Sequence, residues 1–294
     1  YRGDAVNIIE NADMSRYCTY KAGGSARYLI SVENIEELRE ALKMAKEKKL
    51  DSFILGRGSN VLVRDGGYDG IIIRLSGEFT LIESTQNVIT AGAAATNVEV
   101  SVLARDEGLS GIEFLHGIPG SIGGAVFMNA GAYGSEICDY VDEVTFMDED
   151  YNVVAKPSKD IDFGYRHTEF MDGGGIIISV KLRLTPSSAD AVASKMDTLL
   201  NKRTSKQPMN YPSCGSVFKR PLGGYAAKLI EDAGLKGASI GGAEVSTKHS
   251  GFIINKGEAT ANDITDLIKL VQKRVKKNSG IDLKTEVRII GKDR

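Results

Sequence analysis

The sequence contains few of the residues that bind metals or form disulfide frameworks. Its three cysteines, Cys18, Cys138 and Cys214, are odd in number and form no CxxC pair. Its three histidines lie in separate segments without HxH or HExxH spacing. Neither a disulfide framework nor a metal site is indicated, because each needs clustered ligands or paired thiols. Free thiols fit a reducing compartment, so we expect a cytoplasmic protein.

A long apolar run and an excess of one charge are also missing. No stretch approaches about 20 apolar residues, so we expect neither a membrane span nor a signal peptide. The 37 lysines and arginines nearly balance the 39 aspartates and glutamates, for a formal net charge of -2. Proteins that mainly bind nucleic acid carry a clear basic excess, and we therefore expect no nucleic-acid partner.

Three familiar sequence motifs are absent or incomplete. Gly56 and Gly58 begin like a dinucleotide fingerprint, but Val61 stands in place of the third glycine and a strand-like VLV run follows. No GxxxxGK[ST] loop occurs. Around Ser216, Phe218 occupies the final glycine position of a nucleophile elbow, which disfavours a serine hydrolase. A Rossmann fold and a P-loop are likewise disfavoured, because the motif that each requires is incomplete or absent.

Glycine, by contrast, is abundant, with 33 residues in the chain of 294. The segment 113–134, EFLHGIPGSIGGAVFMNAGAYG, places six of them among apolar residues. Such a backbone can approach a flat or anionic group closely, and a short helix after Gly124 would direct amide groups toward a pyrophosphate. The alternative is a glycine-rich packing corner between two layers. The turn at 56–60 is a second candidate anion site, with a plain strand-to-strand turn as an equal alternative.

The hydrophobic pattern predicts an α+β protein with two or three lobes. Strands near 19–30 and 52–55 flank a helix at 35–49, which implies a parallel pair. Segments 141–147, 153–157 and 176–184 predict a mostly antiparallel sheet. Further helices are predicted over the following ranges: 97–107 with Ser101 facing outward, 189–203, 224–232, and 261–279 behind a Thr260 and Asp263 capping box.

Five segments, in this order along the chain, resemble the UDP-N-acetylenolpyruvoylglucosamine reductase family: GRGSNVLV, HGIPGSIGGAVFMNAGAYG, GYRHTEF, CGSVFKRP and TEVRIIG. The resemblance covers almost the whole chain and is greatest for the shorter subtype, which lacks a substrate-covering tyrosine loop. It implies a two-lobed FAD-binding fold of the vanillyl-alcohol-oxidase-like type plus a smaller α+β substrate-binding domain. The implied boundaries are 1–80 for lobe 1, to which 288–294 would return, 81–207 for lobe 2 and 208–287 for the substrate domain.

The resemblance also implies the reaction. NADPH would reduce non-covalently bound FAD and leave, and the flavin would then reduce UDP-N-acetylglucosamine enolpyruvate to UDP-N-acetylmuramate for peptidoglycan synthesis. Arg166 and Glu286 match the residues that stabilise the developing negative charge, and Ser216 matches the serine that protonates C2. Glu286 would have to be protonated or donate through a partner, because an ionised carboxylate would repel that charge. Ser216 would need nearby cations or a water relay.

The resemblance assigns further contacts by position. The implied FAD contacts are Gly56, Arg57, Gly58, Ser59, Asn60, Ile118, Pro119, Gly120, Ser121, Gly123, Gly124 and Asn129. The expected substrate contacts are Lys206, Tyr211, Lys219, Arg220 and His249. A monomer without a metal is expected. Two alternatives stay open at this point: an oxidase of the same fold with FAD tethered to His116, and a catalytically silent nucleotide-binding module.

Overall fold

The computed structural model describes residues 7–293. The ends of the predicted first lobe and of the returning C-terminal segment, residues 1–6 and 294, therefore lie outside the described residues. The chain divides into two units. Among the described residues, the first unit contains 7–8, 30–57 and 72–203, and the second contains 9–29, 58–71 and 204–293.

The described chain consists mostly of short strands, with six α-helices placed among them. In chain order, the strands are β1 Asn7–Asp13, β2 Ser25–Val32, β3 Ser52–Ile54, β4 Val61–Val63, β5 Tyr68–Leu75, β6 Ile82–Thr85, β7 Val88–Gly92, β8 Leu109–Ser110, β9 Gly131–Ala132, β10 Ser135–Glu136, β11 Val141–Met147, β12 Val153–Pro157, β13 Phe163–Gly164, β14 His167–Thr168, β15 Ile176–Arg183, β16 Thr185–Pro186, β17 Ser239–Ile240, β18 Ala243–Val245, β19 Ile253–Asn255 and β20 Arg288–Ile290. The α-helices are α1 Ile35–Lys48, α2 Asn97–Asp106, α3 Ile122–Phe127, α4 Ala189–Lys206, α5 Ala226–Asp232 and α6 Ala261–Ser279. This mixture confirms the predicted α+β class.

The largest sheet of the first unit has the strand order β12-β11-β15-β7-β6, and every neighbouring pair is antiparallel. The predicted antiparallel sheet is therefore confirmed. Its inward side chains, among them Val144, Val180 and Leu182, are fully buried in one apolar cluster with residues of α2 and α3. Burial of this face holds the loop before α3 against the sheet, because apolar surface removed from water is the main favourable term in folding.

The predicted parallel pair of β2 and β3 is wrong, because the two strands are not neighbours. A four-stranded sheet has the order β1-β2-β5-β3, so β5 lies between them. The centre of β5, Ile71 to Ile73, is fully buried. An apolar strand from later in the chain can take the central position, and a local strand-helix-strand pattern does not show this.

The buried face of α2 also differs from the prediction. Ser101 is 1% exposed and points inward, whereas Val98 is 42% exposed. The Ser101 hydroxyl donates to the Asn97 carbonyl at 2.6 Å, and the Asn97 amide group donates to the Ile118 carbonyl at 3.1 Å. Buried polar groups with partners are tolerated, and here Asn97 fastens α2 to the glycine-rich segment.

In the second unit, α6 packs on the antiparallel sheet β17-β18-β19. The predicted capping box is confirmed, since Thr260 and Asp263 each bond the other's backbone amide. The Asp65 carboxylate adds two bonds, from Ala261 N at 3.0 Å and Asn262 N at 2.8 Å. The helix ends at Gly280, whose φ is +75°.

Strand β20 pairs in parallel with β4, so that Arg288 lies opposite Val61. This pairing brings the end of the chain to the segment that follows the 56–60 turn. None of the described helices is long and apolar enough to cross a membrane.

Candidate active site

Arg166 occupies an unusual backbone position. It lies in the two-residue turn between β13 and β14, where Gly164 pairs with His167. Its φ is +53°, in the left-handed region that residues with a Cβ rarely adopt. The side chain is only 16% exposed. An arginine where glycine is preferred indicates that its side chain is needed there.

Hydrogen bonds fix the Arg166 guanidinium. Nη2 donates to the Gly131 carbonyl at 2.7 Å and Nη1 to the Asn129 carbonyl at 3.2 Å. Nη1 also lies 3.3 Å from a carboxylate oxygen of Glu136, and the guanidinium stands 5.0 Å from the centre of the Tyr165 ring. A half-buried guanidinium held in this way suits the binding of a carboxylate, because charge-assisted bonds strengthen away from water.

The glycine-rich segment contains a short helix, α3, as predicted, but the helix begins at Ile122 and not after Gly124. Ser121 is its N-cap and accepts from Gly124 N at 3.4 Å. Gly123 packs tightly on protein, since a Cβ there would lie 2.7 Å from Ala93 Cβ. Gly124 is exposed, and a Cβ there would meet only Ser121 Oγ, at 3.5 Å. The segment therefore combines a packing corner at Gly123 with an open backbone surface at Gly124.

The 56–60 turn presents free backbone donors. Within residues 7–293, the amide groups of 56–59 donate to no acceptor. Gly58 has φ +64°, and a Cβ there would lie 2.1 Å from the Tyr17 carbonyl oxygen. In the first unit, a Cβ on Gly56 would lie 2.8 Å from Ser121 Oγ, which brings Gly56 against the α3 loop. These residues fit a ligand such as a pyrophosphate, which accepts hydrogen bonds from main-chain amides.

The polar atoms of the Asn129 side chain are all bonded to protein. Its oxygen accepts from Cys138 N at 3.3 Å, and its amide group donates to Glu136 Oε2 and to the Gly164 carbonyl, both at 3.0 Å. Asn129 is 1% exposed. Its side chain therefore supports the loops around Arg166, and its expected contact with FAD stays a prediction.

The second unit places Ser216 and Glu286 on the two sides of Val217. Val217 N donates to the Gly251 carbonyl at 2.9 Å, and its carbonyl accepts from Glu286 N at 2.7 Å. Gly215, at φ +71° with open space at its Cβ position, precedes the exposed Ser216. Glycine is needed at this left-handed turn, which directs the serine hydroxyl outward. Two residues that are distant in sequence thus meet in the second unit.

His249 lies near this pair. Its ring packs edge-on against Phe252 at 4.9 Å, and Phe252 forms a backbone bridge with Ser216. Nδ1 accepts from Gly251 N at 3.2 Å, which leaves the proton of the neutral ring on Nε2. Burial lowers the pKa of His249 below its ordinary value, so the neutral form is favoured.

The other expected substrate contacts also lie in the second unit. Lys219 N donates to the Lys284 carbonyl at 2.8 Å, in the segment before Glu286. The Arg220 guanidinium lies 4.1 Å from the centre of the Tyr225 ring. Two further residues complete the set: Tyr211, with the Lys256 ammonium 5.2 Å from its ring centre, and the exposed Lys206 at the end of α4.

Sequence analysis missed Arg203, in the first unit. Burial lowers its pKa, and its Nε is buried with no hydrogen-bond partner among the described residues. Its Cδ lies 3.1 Å from the Cβ position of Gly117, in the glycine-rich segment. A buried guanidinium nitrogen without a partner in the part of the chain that the structure describes is suited to an anionic ligand. In the sequence it has the ordinary pattern of a cation at a helix end, so no local signal distinguished it.

Arg288 was missed as well. It lies two residues after Glu286 in β20, and burial lowers its pKa. In the sequence it is one cation in an otherwise apolar run, which gives no sign of its burial. Arg288 is therefore a further half-buried cation in the segment that contains Glu286.

Comparisons with known proteins match both parts of the chain. The family model described as UDP-N-acetylenolpyruvoylglucosamine reductase, C-terminal domain, matches residues 207–290, and an FAD binding domain model matches residues 26–155. A UDP-N-acetylenolpyruvoylglucosamine reductase from Lactobacillus acidophilus is 46% identical over 98% of this chain and 96% of its own. The corresponding protein of Clostridium botulinum is 47% identical over 98% of this chain and 94% of its own.

A solved structure agrees with these matches. The crystal structure of the UDP-N-acetylenolpyruvylglucosamine reductase of Thermus caldophilus has a TM-score of 0.85 and 33% identity, covering 98% of this chain and 99% of that one. Each of these three matches covers 98% of this chain. The chain therefore belongs to the UDP-N-acetylenolpyruvoylglucosamine reductase family.

Proposed function

We propose that this chain carries out the family's reaction in a ping-pong sequence, with NADPH as the electron donor that leaves before the sugar nucleotide enters. The reaction itself, reduction of the enolpyruvyl group of UDP-N-acetylenolpyruvoylglucosamine by a flavoenzyme in peptidoglycan synthesis, follows from family membership. FAD as the cofactor follows from the matching FAD binding domain. The observation that carries the function is the identity of 46% over 98% of the chain.

Two backbone segments would hold FAD, which supplies the hydride when it is bound. The free amides of 56–59 suit its pyrophosphate, and within 118–124 the exposed positions Pro119 and Gly124 offer surface for the cofactor. Arg203, whose buried Nε has no hydrogen-bond partner within residues 7–293, would offset negative charge on the cofactor. The remaining implied contact, Asn129, would then act through the loop that it supports.

Arg166 would stabilise the negative charge that develops on the substrate carboxylate. Its guanidinium is held by two carbonyl groups, so little reorganisation is needed when charge appears. Glu286 would contribute to the same charge as a protonated carboxyl donor, since an ionised one would repel it. This requirement is a prediction about its protonation state.

Ser216 would deliver the proton to C2 of the enolpyruvyl group. A serine hydroxyl is a weak acid, so it needs cations nearby or a water that replaces its proton. Lys219, whose backbone pairs with the segment before Glu286, and Arg288, two residues after Glu286, are candidate cations for this role. The residues that would contact the UDP-sugar are Lys206, Tyr211, Lys219, Arg220, His249 and Arg288.

The proton-donor role is tested by measuring the two half-reactions separately by rapid mixing. In Ser216→Ala, flavin reduction by NADPH should remain near normal, while reoxidation by the enolpyruvyl substrate should slow about a hundredfold or more. Ser213→Ala is the matched control in the same loop and should leave both steps unchanged. Equal losses in both half-reactions would contradict the role of Ser216.

The donor and the order of events need their own measurement. NADPH should reduce the flavin without sugar nucleotide present, faster than NADH does, and initial-rate plots against both substrates should be parallel. Intersecting plots would contradict the ping-pong order. Oxidation by dioxygen of a small alcohol would favour the oxidase alternative, and no turnover at all would favour a silent nucleotide-binding module.

The domain boundaries and assembly state are part of the same proposal. The FAD-binding lobes would cover 1–80 and 81–207, with 288–294 returning to the first, and the substrate domain 208–287. The protein would act in the cytoplasm as a monomer on a small-molecule substrate. Light scattering of the FAD-loaded protein should give the mass of one chain, and a mass of two chains would contradict the monomer.

A further inference from the structure

Glu136 and Asn129 form a polar cluster with Arg166. The proposed reaction uses neither Glu136 nor Asn129 directly. The Glu136 carboxylate accepts on both oxygens, from Arg166 Nη1 at 3.3 Å and from Asn129 Nδ2 at 3.0 Å. The carbonyl groups of Asn129 and Gly131 complete the cluster through their bonds to the guanidinium. We refer to Glu136, Asn129 and these two carbonyl groups as the Arg166 clamp.

The clamp joins three short segments of the first unit. Glu136 ends the hairpin β9–β10, and Asn129 immediately precedes that hairpin. Asn129 also donates to the Gly164 carbonyl, in the strand that leads into the Arg166 turn. A shift of any one of these segments would therefore move the guanidinium.

The clamp also supports backbone that is unfavourable on its own. Asn129 has φ +41° and Arg166 has φ +53°. Left-handed backbone costs about 1 kcal/mol or more for a residue with a Cβ. Such conformations persist where surrounding bonds determine them, and they concentrate at functional sites.

We infer that Glu136 is a positioning residue, which holds the Arg166 guanidinium in the orientation required for the step in which the substrate is reduced. This inference rests on the proposed function, because it needs Arg166 to act on the substrate carboxylate. Glu136 is 35% exposed at its side chain and pairs with a guanidinium that is 16% exposed. One Glu136 oxygen accepts from Arg166 Nη1 and fixes its direction. The other accepts from the Asn129 side chain and so holds the loop whose Asn129 carbonyl also accepts from Nη1.

The negative charge of Glu136 has different effects on substrate binding and on the orientation of Arg166. The ionised Glu136 offsets part of the positive charge that an anionic substrate meets at Arg166. Removal of that negative charge should leave ground-state attraction for the substrate unchanged or stronger. The loss of orientation should slow the chemical step, because small misplacements of a reacting group cost large factors in rate.

Glu136→Gln tests this inference, because an amide side chain accepts on one oxygen only and must lose either Arg166 or Asn129. In the FAD-loaded protein, the limiting rate constant for flavin reoxidation by substrate should fall about tenfold to a hundredfold. The substrate concentration at half-maximal rate should stay equal or fall. Flavin reduction by NADPH should be unchanged, and Glu136→Asp, which keeps the charge, should recover part of the rate.

Glu143→Gln is the matched control, since Glu143 is a partly exposed carboxylate of the first unit that pairs with Lys181 away from Arg166. It should leave both rate constants unchanged. A normal reoxidation rate in Glu136→Gln, or an equal slowing of flavin reduction, would overturn the positioning role.

Arg166→Lys separates the inference from the proposed function. Slow reoxidation in Arg166→Lys together with normal reoxidation in Glu136→Gln would overturn only the inference. Normal reoxidation in Arg166→Lys would remove Arg166 from the reaction, and the positioning role with it.

Discussion

At the scale of the residue, the candidate site is built with backbone that favours glycine. Arg166, Asn129 and Tyr133 have φ values of +53°, +41° and +58°. Tyr133 stands at the tip of the hairpin β9–β10, and its side chain is 48% exposed. Left-handed backbone costs a residue with a Cβ about 1 to 2 kcal/mol, and asparagine tolerates it better than arginine or tyrosine does.

Gly215 provides a test of the backbone that precedes Ser216. Gly215→Ala should lower the free energy of unfolding by about 1 to 2 kcal/mol, because φ is +71° and an added Cβ meets no other atom. It should also slow flavin reoxidation by substrate, since relaxation of the turn would redirect the serine hydroxyl. Urea unfolding and rapid mixing measure the two effects.

Gly223→Ala is the matched control, with φ +81° and the same open space at its Cβ position. It should lose similar stability and keep its reoxidation rate. Equal reoxidation rates in the two variants would contradict a role of the Gly215 turn in the reaction.

His249 predicts a dependence of stability on pH. Burial lowers its pKa below the ordinary value of 6.5, so the unfolded chain binds its proton first as the pH falls. This residue's contribution to stability should be fully present above pH 6.5 and should decline as the pH falls below it. The melting temperature should fall between pH 7.5 and pH 5.5, and this fall should be smaller in His249→Gln than in the unchanged protein. The same pH dependence in both proteins would contradict this assignment.

At the scale of the element, local sequence signals predicted where helices begin and end better than they predicted which segments pack against each element. The capping box of α6 is where the sequence indicated, because a cap involves residues only a few positions apart. The inward face of α2 and the neighbours of β3 were predicted wrongly. Those features depend on which distant segment packs against the element.

The short helix α3 offers a test of the cofactor surface. Gly124→Ala should fold normally or gain stability, since alanine favours a helix by about 1 kcal/mol over glycine and its Cβ meets only Ser121 Oγ, at 3.5 Å. FAD content after purification should fall, because the added methyl group would stand on the exposed backbone. Absorbance at flavin wavelengths and thermal unfolding measure the two effects.

Gly123→Ala is the comparison, since its Cβ would lie 2.7 Å from Ala93 Cβ and should destabilise the protein itself. A normal FAD content in Gly124→Ala would place the flavin elsewhere.

At the scale of the whole molecule, the reacting groups come from distant parts of the chain. Ser216 and Glu286 are 70 positions apart, and in the second unit Glu286 N donates to the carbonyl of Val217, the residue after Ser216. The parallel pairing of β20 with β4 brings the same C-terminal segment to Asn60, whose amide group donates to the Glu286 carbonyl at 3.1 Å. Loss of the last strand should therefore affect both the site and the fold.

Removal of the flavin should weaken the whole protein reversibly. Binding to the folded state alone stabilises it by about 2.7 kcal/mol when free FAD is about 100 times its Kd. We expect the melting temperature to fall after FAD is stripped and to recover when FAD is added back. Acid precipitation should leave the flavin in the supernatant, and flavin in the pellet would instead indicate a covalent tether such as His116.

The sequence by itself determined the class of fold, the capping box of α6, the antiparallel sheet and the family. These follow from periodicity, from short-range capping chemistry and from motifs whose residues are close together in the chain. Only the tertiary structure decided that β5 separates β2 from β3, that Ser101 faces inward, and that the Arg203 Nε is buried with no hydrogen-bond partner among the described residues. It also decided that Glu136 and Asn129 hold Arg166. Burial and pairing across long sequence separations depend on which surfaces meet, and no local pattern encodes that choice.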